Sequence, residues 1–131
     1  MHWSEQYLGL PYEPQGRSLA GVDCFGLCWL VLRSIGAPVP SYAGDYASPE
    51  ERSEIAALIS GAKPAWHKVD QAMEYDLVTF RRGMIESHIG VVVKPGLMLH
   101  ITRGQPSCIE DYTTGRWANR LTGIWRHAAL A

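Results

Sequence analysis

The stretch that most constrains this chain is Gly21-Val22-Asp23-Cys24-Phe25-Gly26-Leu27-Cys28-Trp29-Leu30-Val31-Leu32, which passes from a glycine-bounded loop into an almost wholly apolar segment. A helix of this composition is apolar around most of its circumference and belongs at the centre of a small domain. Asp23 is the expected N-cap. Cys24 then falls in the first turn, where unpaired backbone N–H groups and the positive end of the helix dipole favour a thiolate. Gly26 costs a helix about 1 kcal/mol relative to alanine, so something is expected to pack close beside the thiol. The competing reading makes Cys24 and Cys28 two small apolar residues of a buried helix.

The flanking sequence frames this helix. The 131 residues suit a single domain, 1–131, able to bury a real core. Apolar residues make up 47% and charged residues 19% of the chain, a globular composition. A net charge of −1 argues against nucleic acid or a membrane surface as the main partner. No apolar run is long enough to cross a membrane, and residues 1–10 lack the apolar core of a signal peptide. The chain is therefore expected to be made in the cytoplasm. Three cysteines, two of them in Cys-x3-Cys spacing, fit neither a disulfide framework nor a zinc ribbon. His2, His67 and His127 have no ligand-like spacing, so neither a metal nor a cofactor is expected.

Residues 3–9 predict a short helix ending at Gly9. Tyr12 is read either as a core aromatic or as a hydroxyl pointing into a site. The central helix should stop near Ser34 to Gly36, ahead of Pro38 and Pro40. Ser48-Pro49-Glu50-Glu51 is a capping box that predicts a second, amphipathic helix closed by Gly61. From about residue 66 the pattern turns to strands, around 77–80, 88–93, 97–101, 107–109 and 121–126. Helices first and an antiparallel sheet after give an α+β domain.

Lys94-Pro95-Gly96 separates two of these strands. A three-residue hairpin with Gly96 left-handed pairs Val93 with Leu97 and Gly90 with His100, and puts His88 and His100 on one face. A four-residue loop would separate them. A thiol at a helix start attacks acyl carbon best when an imidazole takes its proton and a third group orients that imidazole. Cys24, His88 and His100 supply those parts, with His88 as base and then acid. Taken singly, His88 reads as a strand-end histidine facing solvent, and His100 as a core histidine with a satisfied backbone partner. Cys28 is assigned to the core and Cys108 to strand core or edge. Glu110-Asp111 reads as a solvated edge. Arg81, Arg82 and the arginines from Arg116 to Arg126 read as surface or substrate-carboxylate contacts.

Leu8-Gly9-Leu10-Pro11-Tyr12 followed by Gly21-Val22-Asp23-Cys24-Phe25-Gly26-Leu27 resembles the opening motif of the NlpC/P60 cysteine peptidases. Tyr75-Asp76-Leu77-Val78-Thr79-Phe80 resembles their Gly-Asp-Leu strand, and Ser87-His88-Ile89-Gly90-Val91-Val92 their His-Val-Gly-Ile-Tyr strand. Leu99-His100-Ile101 falls where the third polar triad member sits. The resemblance runs over about residues 5–127. It implies a papain-like fold, with the nucleophile at the start of a buried helix packed on an antiparallel sheet. It also implies hydrolysis of peptidoglycan stem peptides, commonly at the D-γ-glutamyl–diaminopimelate bond. Carried over by position, Cys24 is the nucleophile, His88 the base and His100 its orienter. Tyr12 is the residue beside the oxyanion site, and Asp23 is the acid before the nucleophile, for substrate amine contact or for structure. Two positions depart from the pattern: Phe25 replaces serine and Tyr75 replaces glycine. A small bare domain of this kind is similar to the peptidases of bacteriophage tails and gene-transfer particles, which implies tail proteins as partners, transport in a virion and action at the cell wall. The same triad also serves amidases and acyltransferases, and the same fold can be a vestigial module of a tail tip.

Overall fold

The computed structural model describes residues 2–41, 66–82 and 85–130. The amphipathic helix expected over 48–61 lies outside the described residues. Trp3–Tyr7 forms a 3-10 turn rather than a full helix, and Gly9 leaves it with φ +76°. A two-stranded ribbon follows, β1 (Arg17–Ser18) against β2 (Gly21–Val22), which the sequence did not announce. Helix α1 spans Cys24–Ser34. Its stop is local: Gly36, at φ +80°, donates its N–H to the Arg33 carbonyl, and Ala37 donates to that of Leu32, closing the last turn before Pro38.

Among the described residues, six strands make the sheet: β3 (Trp66–Lys68), β4 (Leu77–Arg82), β5 (Ile85–Lys94), β6 (Leu97–His100), β7 (Cys108–Asp111) and β8 (Leu121–His127). Their order is β3-β8-β4-β5-β6-β7, and every neighbouring pair is antiparallel. One α-helix packed on an antiparallel sheet, among the described residues, is the α+β architecture expected.

Alternation along the strands separates two layers. Leu77, Ile89, Val91, Leu99 and Ile101 form one core with Leu27, Cys28, Val31 and Leu32 of α1. Val78, Phe80, Val92 and Met98 turn to the other face and pack with Tyr112 and Trp117. Cys28 has the core role expected of it, fully buried, and burial first of all pushes its thiol well above the ordinary range.

Two ion pairs have a fully buried carboxylate. Asp76 accepts from Arg126 Nε at 2.9 Å and Nη2 at 2.8 Å, and from the Met73 N–H at 2.8 Å. Asp23 is fully buried beside Arg17, 3.1 Å away. Arg126 is thus a structural cation rather than a surface or substrate contact. Ser107 staples the loop before Tyr12 to the loop before β7. Its hydroxyl accepts from the Leu10 N–H at 2.8 Å and donates to the Tyr7 carbonyl. Its carbonyl takes the Gly9 N–H at 2.9 Å, and its own N–H reaches the Leu10 carbonyl at 3.0 Å.

Candidate active site

Asp23 has extended backbone and caps α1: Oδ1 accepts from the Gly26 N–H at 2.7 Å. Oδ2 takes the Gln15 N–H at 2.8 Å. With Arg17 also on Oδ1, this fully buried carboxylate serves the structural half of its expected role. It fixes the loop and the first turn that carries Cys24. Gly26 meets the close packing its presence predicts. A Cβ there would lie 2.0 Å from the Gly16 carbonyl oxygen and 2.8 Å from Arg17 Nη1, so any side chain would push the loop off the helix start. Phe25, in place of serine, is fully buried with the Arg17 guanidinium 5.6 Å from its ring centre. Cys24 is 2% exposed and belongs to the core layer of α1.

The hairpin brings the two histidines together, by a route slightly different from the one expected. Gly96 is left-handed at φ +93°, but the turn contains only Pro95 and Gly96. Lys94 pairs with Leu97, and Val93 is absorbed as a bulge. The bulge restores the register inside the hairpin, with Val92 opposite Met98 and Val91 opposite Leu99, so Gly90 faces His100. Gly90 matters here: a Cβ would meet Met98 Sδ at 2.8 Å and His100 Cβ at 3.3 Å. His88 follows a second register shift, between Phe80 and Arg81 in the β4–β5 pairing, where a bulge re-aims the strand.

His88 Nε2 lies 2.9 Å from His100 Nδ1, and His100 Nε2 lies 2.9 Å from Glu110 Oε1. Both rings are nearly inaccessible, 3% and 1% exposed. The His88 ring lies 6.1 Å from that of Phe80, while Ile89, next to His88 in β5, belongs to the core cluster of α1. Trp117 stacks on His88 with centroids 4.6 Å apart and planes at 16°, and meets His100 edge-on at 5.5 Å. A low-dielectric lid over the imidazole contact strengthens it.

Glu110 corrects the reading of Glu110-Asp111 as a solvated edge. Asp111 is exposed and closes a local turn on Thr113, but Glu110, opposite Met98, points at His100. Arg116 reaches it as well, Nη2 to Oε1 at 3.2 Å and Nε to Oε2 at 3.3 Å. Burial raises the Glu110 pKa, but Arg116, Trp117 and His100 together outweigh that and leave it lowered. An ionised carboxylate only accepts, so the proton in the contact belongs to His100 Nε2. When His100 is neutral it accepts at Nδ1 from His88 Nε2–H, which puts the His88 lone pair on Nδ1. Glu110 was missed as a site residue because only strand pairing brings it to His100, and Arg116 and Trp117 because they come from the 3-10 turn Gly115–Trp117 that follows β7. The weak signal was the alternation of Cys108 and Glu110 in a strand.

Tyr12 bridges to Val22 in parallel, two residues before Cys24. Its ring lies 5.3 Å from the Arg103 guanidinium carbon. The two line an open groove of about 530 Å³ with Gly9, Pro11, Gly104 and Gln105. Tyr75, the other departure from the family pattern, has φ +73°, a region that favours glycine. It stacks on Trp3 at 4.9 Å, an attraction that offsets the backbone strain.

The profile of the NlpC/P60 family matches residues 9–126. No curated protein matches the chain. Among solved structures, it is similar to a lipoprotein-like protein of the NLP/P60 family from Staphylococcus aureus, with TM-score 0.67, 20% identity, 95% of this chain and 38% of that one. It is similar to an NlpC/P60 family protein from Bacillus cereus, with TM-score 0.67, 23% identity, 92% of this chain and 36% of that one. The NlpC/p60 domain of the peptidoglycan hydrolase SagA overlays with TM-score 0.63 at 16% identity, over 92% of this chain and 90% of that domain. The chain spans little more than a third of the length of the first two. The match over residues 9–126, with these overlays, places the chain in the NlpC/P60 family.

Proposed function

We propose that the chain is a cysteine peptidase acting on peptidoglycan stem peptides, at the D-γ-glutamyl–diaminopimelate bond. The observation that carries this reading is the His88–His100–Glu110 chain, in a domain whose central helix opens with a thiol. Family membership and the SagA overlay support the substrate class. In this reading His88 Nδ1 takes the Cys24 proton, and the thiolate attacks the scissile carbonyl carbon. The first-turn N–H groups of α1 and Tyr12 stabilise the oxyanion. His88 then gives its proton to the leaving amine as the C–N bond breaks. It next takes a proton from a water whose oxygen attacks the thioester carbon, and the C–S bond breaks to release the acid and the thiolate. In the same reading Arg103, at the groove beside Tyr12, holds a substrate carboxylate.

Mass spectrometry of purified muropeptides after incubation with wild type and with Cys24→Ala tests the proposal. It predicts cleavage within the stem peptide by the wild type alone. Release of the whole stem peptide from the sugar, or transfer to an added amine, would instead make the chain an amidase or an acyltransferase. No product from either protein, together with a slowly alkylated Cys24, would make it a structural module.

A further inference from the structure

We infer that His100, Cys108 and Glu110 form a binding site for a single zinc-class divalent ion on the outer side of the histidine pair. The three ligand atoms lie within 4.8 Å of one another. Strand pairing builds the group. Cys108 is directly opposite His100, and Glu110, two residues on, projects from the same face of β7. Cys108 Sγ is 3.7 Å from His100 Nε2, and Glu110 Oε1 is 2.9 Å from that nitrogen. Tetrahedral zinc with ordinary bond lengths separates nitrogen from sulfur by about 3.6 Å and nitrogen from oxygen by about 3.3 Å. Relative to the imidazole nitrogen, the sulfur and the oxygen each need a shift of only a few tenths of an ångström.

The donor set is one imidazole, one thiolate and one carboxylate. That mixture suits zinc rather than magnesium or calcium. Three protein ligands leave the fourth position to water, and Cys108 is exposed, so the ion has an entry path. Cys108 releases its thiol proton to solvent on binding. Arg116 faces the same carboxylate and opposes the ion electrostatically.

The consequence for turnover rests on the proposed peptidase reading; the binding does not. An ion on His100 Nε2 takes the lone pair that the ring keeps free only when its proton moves to Nδ1. His100 then donates to His88 Nε2 rather than accepting from it, and His88 must carry its proton on Nδ1, the nitrogen that the reaction needs open. Metal binding thus reverses the polarity of the imidazole chain and switches the base off without touching Cys24.

Binding is measured on Cys24→Ala protein, which removes the thiol of the first turn of α1 as a competing ligand. Calorimetry with zinc and optical titration with cobalt should show one ion per chain and a sulfur-to-cobalt charge-transfer band. Cys108→Ser should abolish the band and weaken zinc binding roughly tenfold or more, Glu110→Gln should also weaken it, and Arg116→Ala should tighten it. Circular dichroism checks that each variant is folded. Zinc binding of equal strength in Cys108→Ser and Glu110→Gln, or no binding in the parent, overturns the site. In Cys24-containing protein, the zinc concentration that halves each variant's own metal-free rate should rise at least about tenfold in Cys108→Ser. An unchanged value, with binding to this site intact, would overturn the switch and leave the site. Absence of any muropeptide cleavage would count against the peptidase reading, while the cobalt band still decides the site.

Discussion

Asp76 and Glu110 each hold an arginine, but Asp76 is fully buried with both oxygens taken by Arg126 and the Met73 N–H. Glu110 is 31% exposed and divides one oxygen between His100 and Arg116. The first is sealed: it fixes β4 to β8 and has no partner to exchange. The second is open on one side, and its partner there is an imidazole whose tautomer it selects. Asp23 belongs with Asp76, saturated by Gly26, Gln15 and Arg17. Within one small domain, full burial marks the carboxylates that position, and partial exposure marks the one tied to the proposed proton path.

That contrast can be broken at its strongest point first. Asp76→Ala strands Arg126 in a half-closed site and should cost about 3 kcal/mol or more, read as a lower denaturation midpoint. A variant as stable as the parent would mean that the pair contributes nothing net. Gly26→Ala drives a methyl group into the Gly16 carbonyl and should cost about 1–3 kcal/mol. It should also slow Cys24 alkylation, because the displaced loop includes the capping Asp23.

Glu110→Gln should act the other way round, with a stability change below about 1 kcal/mol and a kcat lowered about tenfold, less than loss of the acid–base group itself. The pH dependence has a definite sign. The folded Glu110 pKa is lowered, so its contribution is full above the ordinary carboxylate value and fades as pH falls through the lower folded value. Glu110→Gln should flatten that acid limb of the stability profile, and an unchanged limb would assign it to other groups. The smallest effect is expected at Tyr75→Gly. Relief of a positive φ gains about 1 kcal/mol, and loss of the Trp3 stack costs about as much. Thermal melts should therefore nearly coincide, while Trp3→Ala alone should be destabilising.

The legible parts of the molecule were those set by local rules. The Asp23 cap, the length of α1, the crowding at Gly26 and the strand positions all follow from residues adjacent in sequence. The shared face of His88 and His100 was legible only as a condition on the hairpin. The Val93 bulge satisfied it by a two-residue turn, since Pro95 disfavours the geometry of the simpler loop. Glu110, Arg116 and Trp117 were not legible as site residues. Their partners stand 6 to 29 residues away, and the strand order β5-β6-β7 that joins them is not written in any one segment. Adjacent acids in a strand carry no mark of which one faces inward. The β1–β2 ribbon escaped for another reason: two-residue strands leave no periodicity to read.

The central claim is that His88, oriented through His100 and Glu110, activates Cys24. It is tested most directly by the rate at which iodoacetamide modifies Cys24 at pH 6, followed by peptide mass so that Cys108 is scored separately. The account predicts that native Cys24 reacts much faster than the same residue in denatured protein, and that His88→Ala removes the advantage while leaving the fold intact. A native Cys24 that reacts more slowly than the denatured thiol, with or without His88, would contradict it and leave α1 opening with a structural cysteine.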